Sequence, residues 1–244
     1  MRSVRIILRR EFGSYFATPL AYVFLALFLV LSNLFTFYVG GFFGRGQADL
    51  MSFFNYQPWL FLLLVPAISM KLWAEERRNG SIELLLTLPV TPWQAVLGKF
   101  LAAWAFMALA LALTFPLWLT VNWLGNPDNG AILAAYAGCL LLAAAFLGVG
   151  SLASALTRSP VVAFIIAVAI CFVLLMAGYP LVLDTVRGWA PQPLVNAVAS
   201  LGFLTHFDAI SRGVIEARDL WYFVLVTVYL LLVTTLALES RKTE

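Results

Sequence analysis

The sequence predicts an all-α polytopic membrane protein with six transmembrane helices, an N-terminal amphipathic interfacial helix and one short cytoplasmic helix. Three observations predict it. The chain is 63% hydrophobic and 11% charged, against about 45–50% and about 25% in soluble domains. Its apolar residues gather into six runs suited to a bilayer, which takes about 20 residues to cross. Its basic residues are divided unevenly between the two sets of connecting loops.

The first element is the amphipathic helix, residues 1–17. Arg2, Arg5 and Arg9 share one helical face, and Val4, Leu8, Phe12 and Tyr15 share another. Such a helix lies along the membrane surface, with Arg2, Arg5, Arg9 and Arg10 toward anionic headgroups. Arg9-Arg10-Glu11-Phe12 is not read as a cleaved export signal. The apolar run behind it is too long for one and carries no A-x-A-like site.

The six spans are expected at 19–39, 58–73, 93–121, 131–156, 160–178 and 220–238. Four open on a polar residue and a proline: Thr18-Pro19, Gln57-Pro58, Thr91-Pro92 and Ser159-Pro160. Proline suits the first helical turn, where its missing N–H would have no partner anyway. Thr91 with Gln94 fits a capping box. The second span is short unless Leu72 to Arg78 prolongs it, and Pro116 predicts a kink in the third. In the fourth, Ala144 with Gly148 and Gly150 with Ser154 form small-x-x-x-small pairs that favour close helix packing. Asp219 is expected to cap the sixth.

Orientation follows from the basic residues. Arg2, Arg5, Arg9, Arg10, Lys71, Arg77, Arg78, Lys99, Arg158, Arg241 and Lys242 fall on one side. Arg45, Arg187, Arg212 and Arg218 fall on the other. The positive-inside rule puts both termini in the cytoplasm and leaves an extracytoplasmic loop at 179–219.

The densest charge sits between spans two and three, at Glu75-Glu76-Arg77-Arg78-Asn79-Gly80-Ser81-Ile82-Glu83. Asn79-Gly80 signals a turn. Ser81 to Leu88 then suits a short helix with Ile82, Leu85 and Leu86 on one side. The positive-inside rule explains the arginines of this island, but not three glutamates beside an apolar helix face.

Several chemistries lack their residues. No phosphate-binding loop of the form G-x-x-x-x-G-K-[ST] is present. No catalytic constellation is visible, so no catalytic residue is expected. One histidine and two separated cysteines do not suggest a metal cage. Cys139 and Cys171 read as small buried hydrophobes, and Thr205-His206-Phe207-Asp208 as a capping box on the outer side. Ser32, Asn33 and Thr36 read as interhelical hydrogen-bonders, with a translocation surface as the alternative. The spans carry almost no ionisable residue of the kind a proton- or sodium-coupled carrier uses. No nucleic-acid partner is expected.

The island carries a resemblance. Glu75, Glu76, Arg77, Arg78, Gly80, Ser81, Ile82, Glu83, Leu85, Leu86, Pro89, Val90 and Thr91 form a pattern that resembles the coupling-helix region of bacterial ABC-type exporter permeases of the second class. The outer segment from Phe207 to Ile215 resembles that family's late extracytoplasmic motif. Length and outer motif are most similar to gliding-motility-type permeases, with the permeases of nitrous-oxide-reductase copper-site maturation second. The resemblance implies a single non-catalytic permease domain, 1–244, in the bacterial inner membrane. It implies two copies of a cytoplasmic ABC-type ATPase gripping residues 74–90, a second permease copy or homologue, and an auxiliary extracytoplasmic subunit. ATP and magnesium would sit on the ATPase, and this chain would hold no cofactor. The implied function is ATP-driven export of an unidentified substrate. The alternative is mechanotransmission, in which ATPase-driven motion passes to an extracytoplasmic partner without transport. An intramembrane enzyme and a passive anchor fit the residues less well.

Overall fold

The computed structural model describes residues 2–80, 91–188 and 191–240, apart from the side chains of Arg2 and Val186. Among the described residues every regular element is helical. In chain order these are α1 (Arg2–Phe16), α2 (Pro19–Leu34, running into a π turn at Phe35–Val39), α3 (Phe42–Arg45), α4 (Met51–Ser69), α5 (Ala74–Arg78) and α6 (Pro92–Ala112). Then follow α7 (Phe115–Leu124), α8 (Asn129–Leu156), α9 (Pro160–Ala177), α10 (Pro180–Arg187), α11 (Gln192–Leu201), α12 (Phe203–Ser211) and α13 (Ala217–Ser240).

Among the described residues six spans are long and apolar enough to cross a membrane: Pro19–Arg45, Met51–Arg78, Pro92–Leu124, Asn129–Leu156, Pro160–Ala177 and Ala217–Ser240. Their centre is α8, which packs against α4, α6, α9, α12 and α13. Two-thirds of its most apolar stretch (67%) is buried, against 22% for α9, so α9 is peripheral. Composition explains the difference. Lipid tails are as apolar as leucine, so helices associate in a bilayer where small residues allow close approach. The alanine- and glycine-rich α8 does this. At Gly150 a Cβ would lie 1.8 Å from Ser69 Oγ of α4, so only glycine fits there. Gly148 in turn lies against Leu230 and Thr227 of α13.

The prolines punctuate mostly as expected. Thr18, Thr91 and Ser159 occupy helix N-cap positions with proline just inside. Their hydroxyls make no capping bond, and the expected Thr91–Gln94 box reduces to the Gln94 N–H donating to the Thr91 carbonyl at 2.9 Å. The third span breaks between α6 and α7, just before Pro116. Gln57-Pro58 does not open a span. The helix starts at Met51 and carries both Pro58 and Pro66 inside it. Neighbouring helices make internal prolines tolerable in a membrane bundle.

Four further expectations are corrected. Asn33 Nδ2 and Thr36 Oγ1 donate to Leu29 and Ser32 carbonyls of their own helix, not across helices. The 179–219 segment is not a simple loop, since it contains α10, α11 and α12, the last two bent by 66°. Trp189 falls outside the described residues. Thr205-His206-Phe207-Asp208 forms no capping box, because α12 already starts at Phe203 after Gly202. His206 Nδ1 instead meets Asp219 Oδ1 at 2.6 Å, and both residues are buried. Asp219 therefore does not cap α13, whose first residue is Ala217. It ties α13 to α12.

Candidate functional site

The charged island leaves α4 through a turn at Met70–Trp73 and enters α5. A five-residue helix cannot hold itself, because helix nucleation is unfavourable and short helices depend on outside contacts. The support comes from α8. Ser154 Oγ accepts the Trp73 and Ala74 backbone N–H groups, each at 3.0 Å, and donates to the Met70 carbonyl at 2.9 Å. One hydroxyl thus satisfies the start of α5 and the end of α4 together. The Trp73 indole donates to Ser151 Oγ at 3.1 Å. Arg77 donates to the Ala155 carbonyl near the C-terminal end of α8, where a cation is favoured.

Glu76 turns inward. Lys99 lies in the second turn of α6 with a side chain only 5% exposed. Its Nζ sits 2.8 Å from Glu76 Oε1 and 3.2 Å from Glu11 Oε2 of α1, and 5.4 Å above the Trp73 ring. Arg10 donates to the other Glu11 oxygen at 2.8 Å. Burial by itself raises the Glu11 carboxyl, but Lys99 and the Arg10 hydrogen bond outweigh it and hold the carboxyl below its usual range. Close packing of α1 on α6 makes the geometry available. At Gly98 a Cβ would lie 2.7 Å from Ile7 Cγ2. Tyr15 stacks on Phe106 about two turns further along, with centroids 5.1 Å apart.

The structure therefore divides the expected site residues. Glu76 and Arg77 join the island to the helices behind it, while Arg78, Asn79 and Gly80 stay exposed at its edge. Glu75 makes a loose contact with Arg78 at 3.8 Å. Ser81, Ile82, Glu83, Leu85 and Leu86 lie outside the described residues. Arg5, Arg9 and Arg10 are exposed on α1. Sequence reasoning missed Glu11, Trp73, Lys99, Ser151 and Ser154. Lys99 had a usable signal. It follows the third span's start by two turns, where a cation is costly unless a carboxylate meets it.

Arranged this way, the island end can transmit force. A displacement of α5 reaches α8 through Trp73, Ser154 and Arg77, and reaches α6 and α1 through Lys99. A family model described as ABC-2 family transporter protein matches residues 59–242, from within α4 to beyond the end of α13 and well over half of the chain. No curated protein matches the chain.

Proposed function

The chain belongs to the ABC-2 family of transporter proteins, and from that premise we propose that it is the membrane half of an ATP-driven exporter. With six membrane-crossing helices and this family, it is a multi-pass membrane protein and a transport component. Family membership implies an ABC-type ATPase and a paired permease arrangement. In our reading two copies of the ATPase hold ATP and magnesium, and both permease termini face them from the cytoplasmic side of the inner membrane. The island residues Glu75 to Leu86 dock into the ATPase, with Ile82, Leu85 and Leu86 as apolar anchors and Glu83, Arg77 and Arg78 as matching charges. Closing of the ATPase dimer shifts the membrane part between two states.

The observation that carries this reading is Lys99, held between Glu76 of the island and Glu11 of α1. A loop that merely satisfied topology would need no buried charge cluster behind it. The Phe207 to Ile215 segment supports the gliding-motility-type subgroup, with the nitrous-oxide-reductase maturation type next. Mechanotransmission is the second reading. It is favoured by the three helices α10, α11 and α12 at the far end, which offer an extracytoplasmic partner a firm surface. Substrate flux in sealed vesicles separates it from export.

The docking reading is tested by photocrosslinking from a reactive side chain placed at Asn79, with Tyr38 at the far end as control. Crosslinks to an ABC-type ATPase from position 79 alone are expected. Equal yields from both positions, or none from 79, would refute it.

A further inference from the structure

A cleft of about 580 Å³ lies between the second half of α1, the first half of α2 and the island end of α4. That volume falls within the range of about 300–1,000 Å³ typical of small-molecule sites. One end is charged, with Glu11, Glu75, Glu76, Lys71 and Lys99 in its lining. Beyond it the walls are apolar: Leu20, Val23 and Leu27 on α2, Leu64 and Ile68 on α4. The α2 wall is open at the surface of this chain, since Leu20, Val23 and Leu27 are 56%, 63% and 47% exposed. Leu27 lies about 12 Å along α2 from Pro19 at 1.5 Å per residue. One leaflet's share of a hydrocarbon core of about 30 Å is about 15 Å. The cleft thus runs from the interface through most of one leaflet, polar end outermost.

The charged end selects among headgroups. Lys71 is exposed and makes no ion pair among the described residues, and the Glu75 carboxylate has only the loose Arg78 contact at 3.8 Å. Glu11, Glu76 and Lys99 are committed to their shared cluster. The mouth therefore offers one cation and one carboxylate that the chain's own ion pairs leave loosely engaged. A headgroup of anionic phosphate alone would find Lys71 but would also face Glu75. A headgroup carrying both a phosphate and a primary amine matches both charges. A choline headgroup keeps the positive charge but has no N–H to donate to Glu75.

We propose that this cleft binds an amine-bearing zwitterionic glycerophospholipid of the phosphatidylethanolamine class. Its phosphate meets Lys71, its ammonium meets Glu75, and one acyl chain lies between α2 and α4. The site is independent of the docking reading, because it lies among helices of this chain alone. A lipid there would fill the space between α1 and α4, which flank the Lys99 cluster.

The test uses the full chain in nanodiscs doped with an acyl-chain diazirine phosphatidylethanolamine. After photolysis, mass spectrometry maps the labelled peptides. The site predicts saturable labelling concentrated on the 20–28 and 64–72 stretches. Unlabelled phosphatidylethanolamine should compete, and phosphatidylglycerol should not. Lys71→Glu should lower saturable labelling about three- to fivefold, the worth of one partly exposed ion pair. Val23→Trp places bulk at an exposed wall position, so it should block labelling without disturbing the fold. Labelling spread over α9 and α13 in proportion to their exposure would overturn the site. So would labelling indifferent to Val23→Trp, and equal competition by phosphatidylglycerol would overturn the headgroup assignment.

Discussion

Replacing Lys99 with methionine keeps the bulk of the side chain and removes the charge that two carboxylates share. Each contact, at 2.8 and 3.2 Å, is worth about 5–6 kcal/mol by Coulomb's law at an effective dielectric of about 20, before desolvation is counted. Desolvation of Lys99 offsets much of that. The carboxylates keep 20% and 18% of their side-chain exposure, so some of their charge stays hydrated after the change. Removing one partner of a buried pair costs about 3–5 kcal/mol. The partial hydration of the carboxylates puts Lys99→Met near the lower bound, about 3 kcal/mol. The loss lies in what is left behind, so neutralising the carboxylates should reverse it. The triple variant Lys99→Met, Glu11→Gln, Glu76→Gln should recover more than half of the lost stability, because replacing a whole buried charge cluster is often neutral. Unfolding in mixed detergent micelles, followed by circular dichroism, reads both numbers. The reasoning is refuted if the triple variant is no more stable than the single one. A single-variant loss below about 0.5 kcal/mol, the scale of ordinary surface changes, refutes it as well.

Three further outcomes follow from the same end of the bundle. Ser154→Ala removes the acceptor of two buried N–H groups, which costs about 1–3 kcal/mol for the groups left unsatisfied. Faster amide exchange at Trp73 and Ala74 should report it, and unchanged exchange there would mean α5 has other support. Gly150→Val drives a side chain into Ser69, so α4 and α8 must separate, and overpacking of this kind costs about 1–3 kcal/mol. The thermal midpoint should fall in Gly150→Val and recover partly with Ser69→Gly. No recovery would place the strain elsewhere. Glu11 titrates below its unfolded value of 4.5, so its contribution to holding α1 on α6 is complete above about pH 4.5. It is lost as pH falls through the lower folded value. Spin labels at Arg9→Cys and Gln94→Cys should report a constant distance from pH 7 to 5 and a broadening only below that. Broadening that begins above pH 5 would assign the docking to another group.

The spans were legible because bilayer crossing imposes length, hydropathy and proline placement on a local stretch of chain. Thr18-Pro19, Thr91-Pro92 and Ser159-Pro160 each mark a real helix start for that reason. Gln57-Pro58 misled because proline inside a membrane helix is tolerated when neighbours satisfy the freed carbonyl, and Met51 to Tyr56 is too mixed to read as apolar. Likewise Asp219 has the local look of a cap. Only the packing of α12 beside α13 brings His206 to it. The island was legible as a dense charge cluster, and its inner half was not. Glu11, Glu76 and Lys99 come from three separate segments, and each alone looks like a topology marker. Their meeting depends on α1 lying against Gly98, a packing fact that no window of sequence contains.

The central claim is that the island couples this membrane bundle to an ATPase. The most direct measurement is purification of the chain from its native membrane in mild detergent with ATP present, with mass spectrometry of stoichiometric partners, for the wild type and for Glu83→Lys. The expected result is an ABC-type ATPase at equal stoichiometry with the wild type, with ATPase recovery and ATP hydrolysis both lost in a variant that still inserts and folds. Recovery of the wild-type chain without an ATPase, or undiminished recovery with Glu83→Lys, would contradict the claim and leave the island a topological signal.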